Sequence, residues 1–361
     1  MTQELFKEFT INGINVRNRF IRSATWENMA DDEGFATEQL TKLFVDFAEG
    51  GVGLIITGFA RILEDDLIAP RMIGLYDDKF IDSYKELTDK VHAAGGKIAA
   101  QLATGSSQSK YRARRRTILG PSEVMDKMYR VTPVEMSEED IKKNIQAYID
   151  AAVRAKKSGF DGVQLHCAHG YMLSKFLNPY YNRREDAYGG NIENRARMTY
   201  EIIEGIQQAL PGYPIMVKIN CEDFNEPDTG LTLEESIEVC KKLDQMGVAL
   251  IEVSGGTAGS QEHLRPIRPV KKDTQSYFAE EAGQIAKAVN CEVALVGGNR
   301  DISRMSEISN ESGIKFFSLS RPLVCQSDLI NIWQKDAAEK PKCVSCGKCW
   351  HPSGTKCLLF R

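Results

Sequence analysis

Eight short apolar runs recur along this chain with amphipathic stretches between them, and no other feature so narrows the folds open to it. The runs occupy residues 20–24, 53–57, 97–102, 162–165, 215–219, 250–253, 293–296 and 315–319. Each is rich in Val, Ile, Leu or Phe, which is how a strand buried on both faces of a parallel sheet reads. Residues 37–49, 80–94, 138–158, 192–209, 232–246 and 277–289 lie between them and carry apolar residues at helical spacing. Thr232 and Glu235 have the spacing of a capping box. Gly95-Gly96, Gly159, Gly247 and Gly313 each precede a strand, as glycines that end helices should. Eight such repeats predict an α/β fold, a single (β/α)8 barrel. A doubly wound sheet is the runner-up, but no Gly-x-Gly-x-x-Gly follows an early strand.

Composition sets the class. A chain of 361 residues with 42% apolar and 27% charged residues has the make-up of a globular protein with ample core. A net charge of −4 argues against nucleic acid as the main partner. No apolar run approaches the roughly 20 residues that span a bilayer, so no membrane partner is expected. The N-terminal Met-Thr-Gln-Glu-Leu-Phe-Lys-Glu lacks a basic-then-apolar leader pattern. Cys167, Cys221, Cys240, Cys291 and Cys325 are scattered singly while four more crowd the C-terminus, a distribution that suits reduced thiols in the cytoplasm.

In such a barrel the chemistry sits at the C-terminal ends of the strands. The unusual residues fall there. Ser23-Ala24-Thr25-Trp26 follows the first strand, Thr57-Gly58-Phe59 the second, and Gln101 with Thr104-Gly105 the third. The fourth run leads into His166-Cys167-Ala168-His169-Gly170-Tyr171, and the fifth carries Lys218 and Asn220. Ser254-Gly255-Gly256 closes the sixth, Gly297-Gly298-Asn299-Arg300 the seventh, and Ser320-Arg321-Pro322 the eighth. Any one of His166, His169 and Tyr171 would alone be read as a core residue. Two imidazoles and a phenol within six residues at one strand exit instead make a set for polarising a carbonyl and delivering a proton. A glycine turn at Gly297-Gly298 beside Arg321 suits the phosphate site that barrels build after their last two strands.

These residues, with the long stretch behind them, resemble the Old Yellow Enzyme family of FMN-dependent NAD(P)H:flavin oxidoreductases. The resemblance runs from Leu5-Phe6 and Val16-Arg17-Asn18-Arg19-Phe20 through Gly51–Gly58 to His166–Tyr171. It continues in Asn182-Arg183-Arg184-Glu185-Asp186-Ala187-Tyr188-Gly189-Gly190 through Arg195, and ends with Val296–Gly298 and Leu319–Pro322. It implies that His166 and His169 hold the carbonyl or nitro oxygen of an activated alkene. Tyr171 then matches the proton donor to the alpha carbon, while reduced FMN gives hydride to the beta carbon. Gln101 matches the residue on the flavin pyrimidine edge, and Lys218 stands where the family places a cation near flavin N1. Ser23, Ala24, Thr25 and Gly58 fall in segments lining the flavin ring, and Gly297, Gly298, Ser320 and Arg321 in phosphate segments. Arg183, Asp186 and Arg195 organise the loop and helix after the fourth strand.

The chain departs from the family pattern in three places. Trp26 occupies a position near the flavin where Thr or Cys is common, and is a candidate substrate contact. The familiar Gln-Leu-x-His-x-Gly segment is here Gln101-Leu102-Ala103-Thr104-Gly105, without the histidine. Lys218 replaces an Arg, and an ammonium does not present a planar fork of donors.

The tail is the second sharp feature, with Cys343-x2-Cys346-x2-Cys349-x7-Cys357. Four thiols so close suggest a soft metal. They resemble the [4Fe-4S] segment of the trimethylamine dehydrogenase and 2,4-dienoyl-CoA reductase branch, although that branch has a longer last gap and a further dinucleotide-binding region beyond position 361. A [4Fe-4S] cluster, zinc or free thiols stay open, and His351 reads as a bystander. The basic run Lys110-Tyr-Arg-Ala-Arg-Arg-Arg116 either meets phosphates of NADPH or a CoA thioester or is simply solvated. Phe360-Arg361 is a candidate contact to a neighbouring subunit.

The expectation is a barrel over residues 1–335, preceded by an N-terminal β-hairpin, with a Cys-rich tail at 336–361. It binds FMN, takes hydride from NADH or NADPH and passes it to an activated alkene, an enone, enal, enoate or nitroalkene. A homo-oligomer remains open. One alternative is an iron–sulfur flavoprotein dehydrogenase, resembling dienoyl-CoA reductase, that exchanges electrons with a separate carrier. Another is a non-catalytic FMN electron carrier, for which a proton donor would have no use.

Overall fold

The computed structural model describes residues 2–225 and 229–360, so Arg361 lies outside the described residues. Eight parallel strands close into a barrel in chain order: Phe20–Arg22, Leu54–Arg61, Ile98–Ala103, Gly162–Cys167, Ile215–Asn220, Leu250–Ser254, Glu292–Val296 and Phe316–Leu319. The last strand pairs with the first, Phe317 opposite Phe20, and this pairing shuts the cylinder. All eight apolar runs are strands of this barrel.

The intervening helices follow the expected amphipathic stretches. Thr37 caps Glu38–Glu49, accepting from the Leu40 N–H, and Ser137 caps Glu138–Lys157 with a full capping box. Thr232 and Glu235 form the reciprocal box read from their spacing, at the start of Leu233–Gln245. Gly313 ends Ile302–Ser312 in the left-handed region at φ 81°, which costs glycine little and lets the chain turn into the eighth strand. No helix among the described residues is long and apolar enough to cross a membrane.

One end of the barrel is plugged. Phe9–Ile11 and Ile14–Val16 form an antiparallel hairpin around Asn12-Gly13, whose positive φ angles of 41° and 91° are those of a tight hairpin turn. Its Ile11, Ile14 and Val16 pack with Ile21, Leu54, Ile56, Met216, Leu250 and Phe316 into a dry cluster. Emptying one such position costs about 2–5 kcal/mol. With that end filled, the opposite, C-terminal end of the strands is left for a ligand.

The tail lies across that open end. Thr355 donates from its backbone N–H to the Glu27 carbonyl at 2.7 Å and from its hydroxyl to the Trp26 carbonyl at 2.7 Å. Asn28 Nδ2 donates to the His351 carbonyl at 3.0 Å, and Gln39 Nε2 to the Ser353 carbonyl at 2.9 Å. Residues far apart in sequence thereby share one wall.

Candidate active site

The strand ends and the tail enclose a cavity of about 580 Å³, within the size range of cofactor sites. Ser23, Ala24, Thr25 and Trp26 line it from the first strand, Gln101 from the third, His166, His169 and Tyr171 from the fourth, and Lys218 from the fifth. Gly297, Gly298, Ser320 and Arg321 line it from the last two strands. Gly58 does not. Its N–H donates to Glu27 Oε1 at 2.8 Å, and a Cβ there would strike Glu27 and the Thr25 carbonyl. It supports the segment of Thr25 and Trp26 from behind.

His166, His169 and Tyr171 form one cluster, with the His166 ring 4.6 Å from the Tyr171 ring and 5.3 Å from that of His169. His169 holds a left-handed backbone at φ 62°, a strained conformation for a residue with a Cβ. Asn220 Oδ1 accepts its N–H at 3.3 Å, and its Nε2 lies 2.7 Å from Ser254 Oγ. Burial, with smaller contributions from His169 and Lys218, holds His166 well below the usual imidazole range. Burial, then Lys218, does the same to His169. Both imidazoles are therefore neutral at pH 7. Burial pushes the Tyr171 phenol up, so it keeps its proton. His166 Nδ1 is buried with no hydrogen-bond partner among the described residues, on a side chain that lines the cavity.

A second group lies deeper. Lys218 Nζ donates to Ser23 Oγ at 2.9 Å and stands 3.5 Å from Glu252 Oε2. Gln101 Nε2 donates to Gln164 Oε1 at 2.7 Å. At the seventh and eighth strand ends, Gly297 and Gly298 take φ of 131° and 77°, and a Cβ on either would strike the Tyr277 ring at 2.7 Å. Arg300 and Arg321 flank this turn. Arg300 Nη1 donates to Ser345 Oγ at 3.0 Å, and Arg321 Nη2 to the Arg268 carbonyl at 2.8 Å. The donor set therefore suits a flat heteroaromatic ring at the Gln101 and Lys218 end and a phosphate at the arginine end.

Several expectations resolve differently. Trp26 lines the cavity, but its Nε1 is used by the Pro70 carbonyl at 3.0 Å, and its ring stands edge-on to Trp350 with centroids 6.4 Å apart. Trp350, exposed at the mouth, was not legible as a site residue because only the tail's path brings it there. Arg195, on the helix Ile192–Ala209, pairs with Glu235 on the following helix, and within the loop Asp186 pairs with Arg184. In the basic run, Lys110, Arg112, Arg114 and Arg115 are exposed and Arg116 turns inward to Asp66. Of the tail cysteines, Cys349 faces the cavity, Cys343 is buried and Cys346 is exposed. Among the described residues no group of three or more His, Cys, Asp or Glu side chains is arranged to hold a metal ion. The four thiols do lie near one another, since Cys343, Cys346 and Cys357 add to burial in raising the Cys349 pKa.

A family model of the NADH:flavin oxidoreductase / NADH oxidase family matches residues 4–339. The chain is 34% identical over 358 residues to the NADH oxidase of Thermoanaerobacter brockii, covering 95% of this chain and 52% of that one. The chain thus spans about half the length of that relative. It is 36% identical over 257 residues to the NADPH dehydrogenase of Geobacillus sp. (strain WCH70), covering 71% and 74%. The fold matches that of 2-naphthoyl-CoA reductase in complex with 2-naphthoyl-CoA at a TM-score of 0.88 and 24% identity, over 97% of this chain and 55% of that one. It matches the old yellow enzyme homologue of Zymomonas mobilis at 0.77 and 22%, over 95% and 99%. The chain belongs to the NADH:flavin oxidoreductase / NADH oxidase family, whose FMN-dependent, NAD(P)H-using enzymes share this barrel.

Proposed function

We propose that this protein reduces the carbon–carbon double bond of an alkene activated by a carbonyl or nitro group, with NADH or NADPH as reductant. The observation that carries the reading is the packing of two neutral imidazoles and one protonated phenol against each other in the cavity wall. FMN, when bound, supplies the hydride chemistry that no side chain can perform. Gln101, Lys218 and Ser23 would hold its ring, and Gly297, Gly298, Ser320 and Arg321 its phosphate.

The remaining work falls to side chains. His166 and His169 donate hydrogen bonds to the substrate's oxygen and withdraw charge from the double bond, as preorganised donors do for a developing oxyanion. Neutral imidazoles suit this role, since each carries one N–H and no charge that would have to be desolvated. Tyr171, whose phenol stays protonated, gives its proton to the alpha carbon. The barrel (residues 1–335) and the tail (336–361) serve as one site in this reading, because Cys349, Trp350 and Thr355 complete the wall.

The test is a steady-state assay of the FMN-loaded protein with NADPH or NADH and cyclohex-2-enone, with the product identified. Formation of cyclohexanone in step with nicotinamide oxidation supports the reading. Nicotinamide oxidation that only reduces oxygen, with enones, enals, enoates and nitroalkenes all recovered unchanged, would sink it.

A further inference from the structure

Glu252 is a fully buried carboxylate between Ile251 and Val253 in the strand Leu250–Ser254. Lys218 lies beside it in register on the neighbouring strand, and His166 beside Lys218 on the next. Glu252 Oε1 accepts from Ser23 Oγ at 2.7 Å, and Oε2 accepts from Gln164 Nε2 at 2.9 Å. Lys218 Nζ completes the group at 2.9 Å from Ser23 Oγ and 3.5 Å from Glu252 Oε2. Burial raises the Glu252 pKa, but Lys218, with the bonds from Ser23 and Gln164, outweighs it and holds the carboxyl below its usual range.

An ionised carboxylate only accepts hydrogen bonds, and this has a directional consequence. Gln164 must turn its amide nitrogen to Glu252, which turns its carbonyl to Gln101. Gln101 must then donate through Nε2, as it does at 2.7 Å, and its carbonyl oxygen is left for the cavity it lines. A side amide is otherwise free to present either end. The carboxylate at 252 therefore sets the polarity of a residue two links away. It also keeps an ammonium beside the same stretch of wall.

We propose that Glu252 is a positioning residue: through Gln164 it makes Gln101 an acceptor toward the cavity, so that this wall takes the imide N–H of the FMN pyrimidine ring. Through Ser23 it holds Lys218 as the neighbouring donor for a ring carbonyl. An imide edge presents carbonyl, N–H and carbonyl in sequence, and a wall that alternates acceptor and donor is its complement. This inference rests on the FMN reading above.

The experiment compares binding of FMN and of 3-methyl-FMN, which lacks the imide N–H, to apoprotein by fluorescence quenching. The wild type should prefer FMN by about tenfold or more, the worth of one well-placed buried hydrogen bond. Glu252→Gln lifts the constraint on both amides, and the preference should narrow by about fivefold or more. Gln164→Met cuts the relay while leaving Glu252, Ser23 and Lys218 in place, and should narrow it equally; it decides the question if Glu252→Gln does not fold. A purely structural role would weaken both ligands alike and leave their ratio unchanged. A wild-type ratio in a folded variant, or a wild type that binds both flavins equally, overturns the proposal alone. A wild type that binds neither overturns the FMN reading with it.

Discussion

Ser254 Oγ stands 2.7 Å from His169 Nε2, so a hydroxyl at the end of the sixth strand holds an imidazole that enters the site from the fourth. The hydroxyl can meet that nitrogen as donor or as acceptor, so the contact fixes where the ring points whichever nitrogen carries the proton. His169 is held on its other side by backbone strain at φ 62°. The ring is aimed before any substrate arrives.

Phenols that bind over the flavin offer a direct reading of this aim, through the long-wavelength absorbance that develops when they stack there. Ser254→Ala should weaken the binding of p-hydroxybenzaldehyde by about three- to tenfold, the worth of one hydrogen bond near an anion. Replacing both His166 and His169 by Ala should abolish the band. A band of unchanged intensity and affinity in the double variant would remove the imidazoles as oxyanion donors.

Gly298→Ala should compromise the cofactor site rather than the barrel. A Cβ there meets the Tyr277 ring at 2.7 Å from a backbone at φ 77°, so the turn must move. The strain is about 1–3 kcal/mol. FMN affinity should fall at least about tenfold while the alternate FMN-independent readout, thermal melting of apoprotein, drops by only a few degrees. Unchanged FMN affinity would place the phosphate elsewhere.

Glu27 supplies a pH signature. Burial raises its pKa to about 7, against the pull of the Arg22 charge and the Gly58 N–H. The folded-state value lies above the ordinary carboxylate value of 4.5, so the folded chain binds the extra proton between them. Stability from this group is full below about pH 4.5 and is lost as pH rises through about 7, at up to about 1.4 kcal/mol per pH unit. Glu27→Gln removes the titration. Urea unfolding of both proteins should show the variant gaining on the wild type from pH 5 to 7 and the gap levelling above. Parallel curves would contradict the assignment.

The barrel was legible because its strands are buried on both faces and so appear as unbroken apolar runs, while helices announce themselves by caps such as Thr232 and Glu235. The His166, His169 and Tyr171 cluster was legible because its members are close in sequence. Glu252 carried a signal, a carboxylate inside a strand that should be apolar, but its partners come from the first, fourth and fifth strands and only closure of the barrel brings them together. Gly58 was placed in the cavity because strand ends face it, whereas its missing side chain makes room for Glu27 and the Thr25 carbonyl. The tail's course was invisible, since contacts such as Thr355 to Trp26 join residues at opposite ends of the chain.

The central claim concerns a proton, and Tyr171→Phe isolates it. Stopped-flow absorbance follows flavin reduction by NADPH and, separately, flavin reoxidation by an enone under anaerobic conditions. The account predicts that the first step keeps its rate within about twofold, while the second slows by about 10²–10⁴-fold, the usual contribution of a positioned general acid. Equal slowing of both steps, or none in the second, would contradict the role of Tyr171 as proton donor.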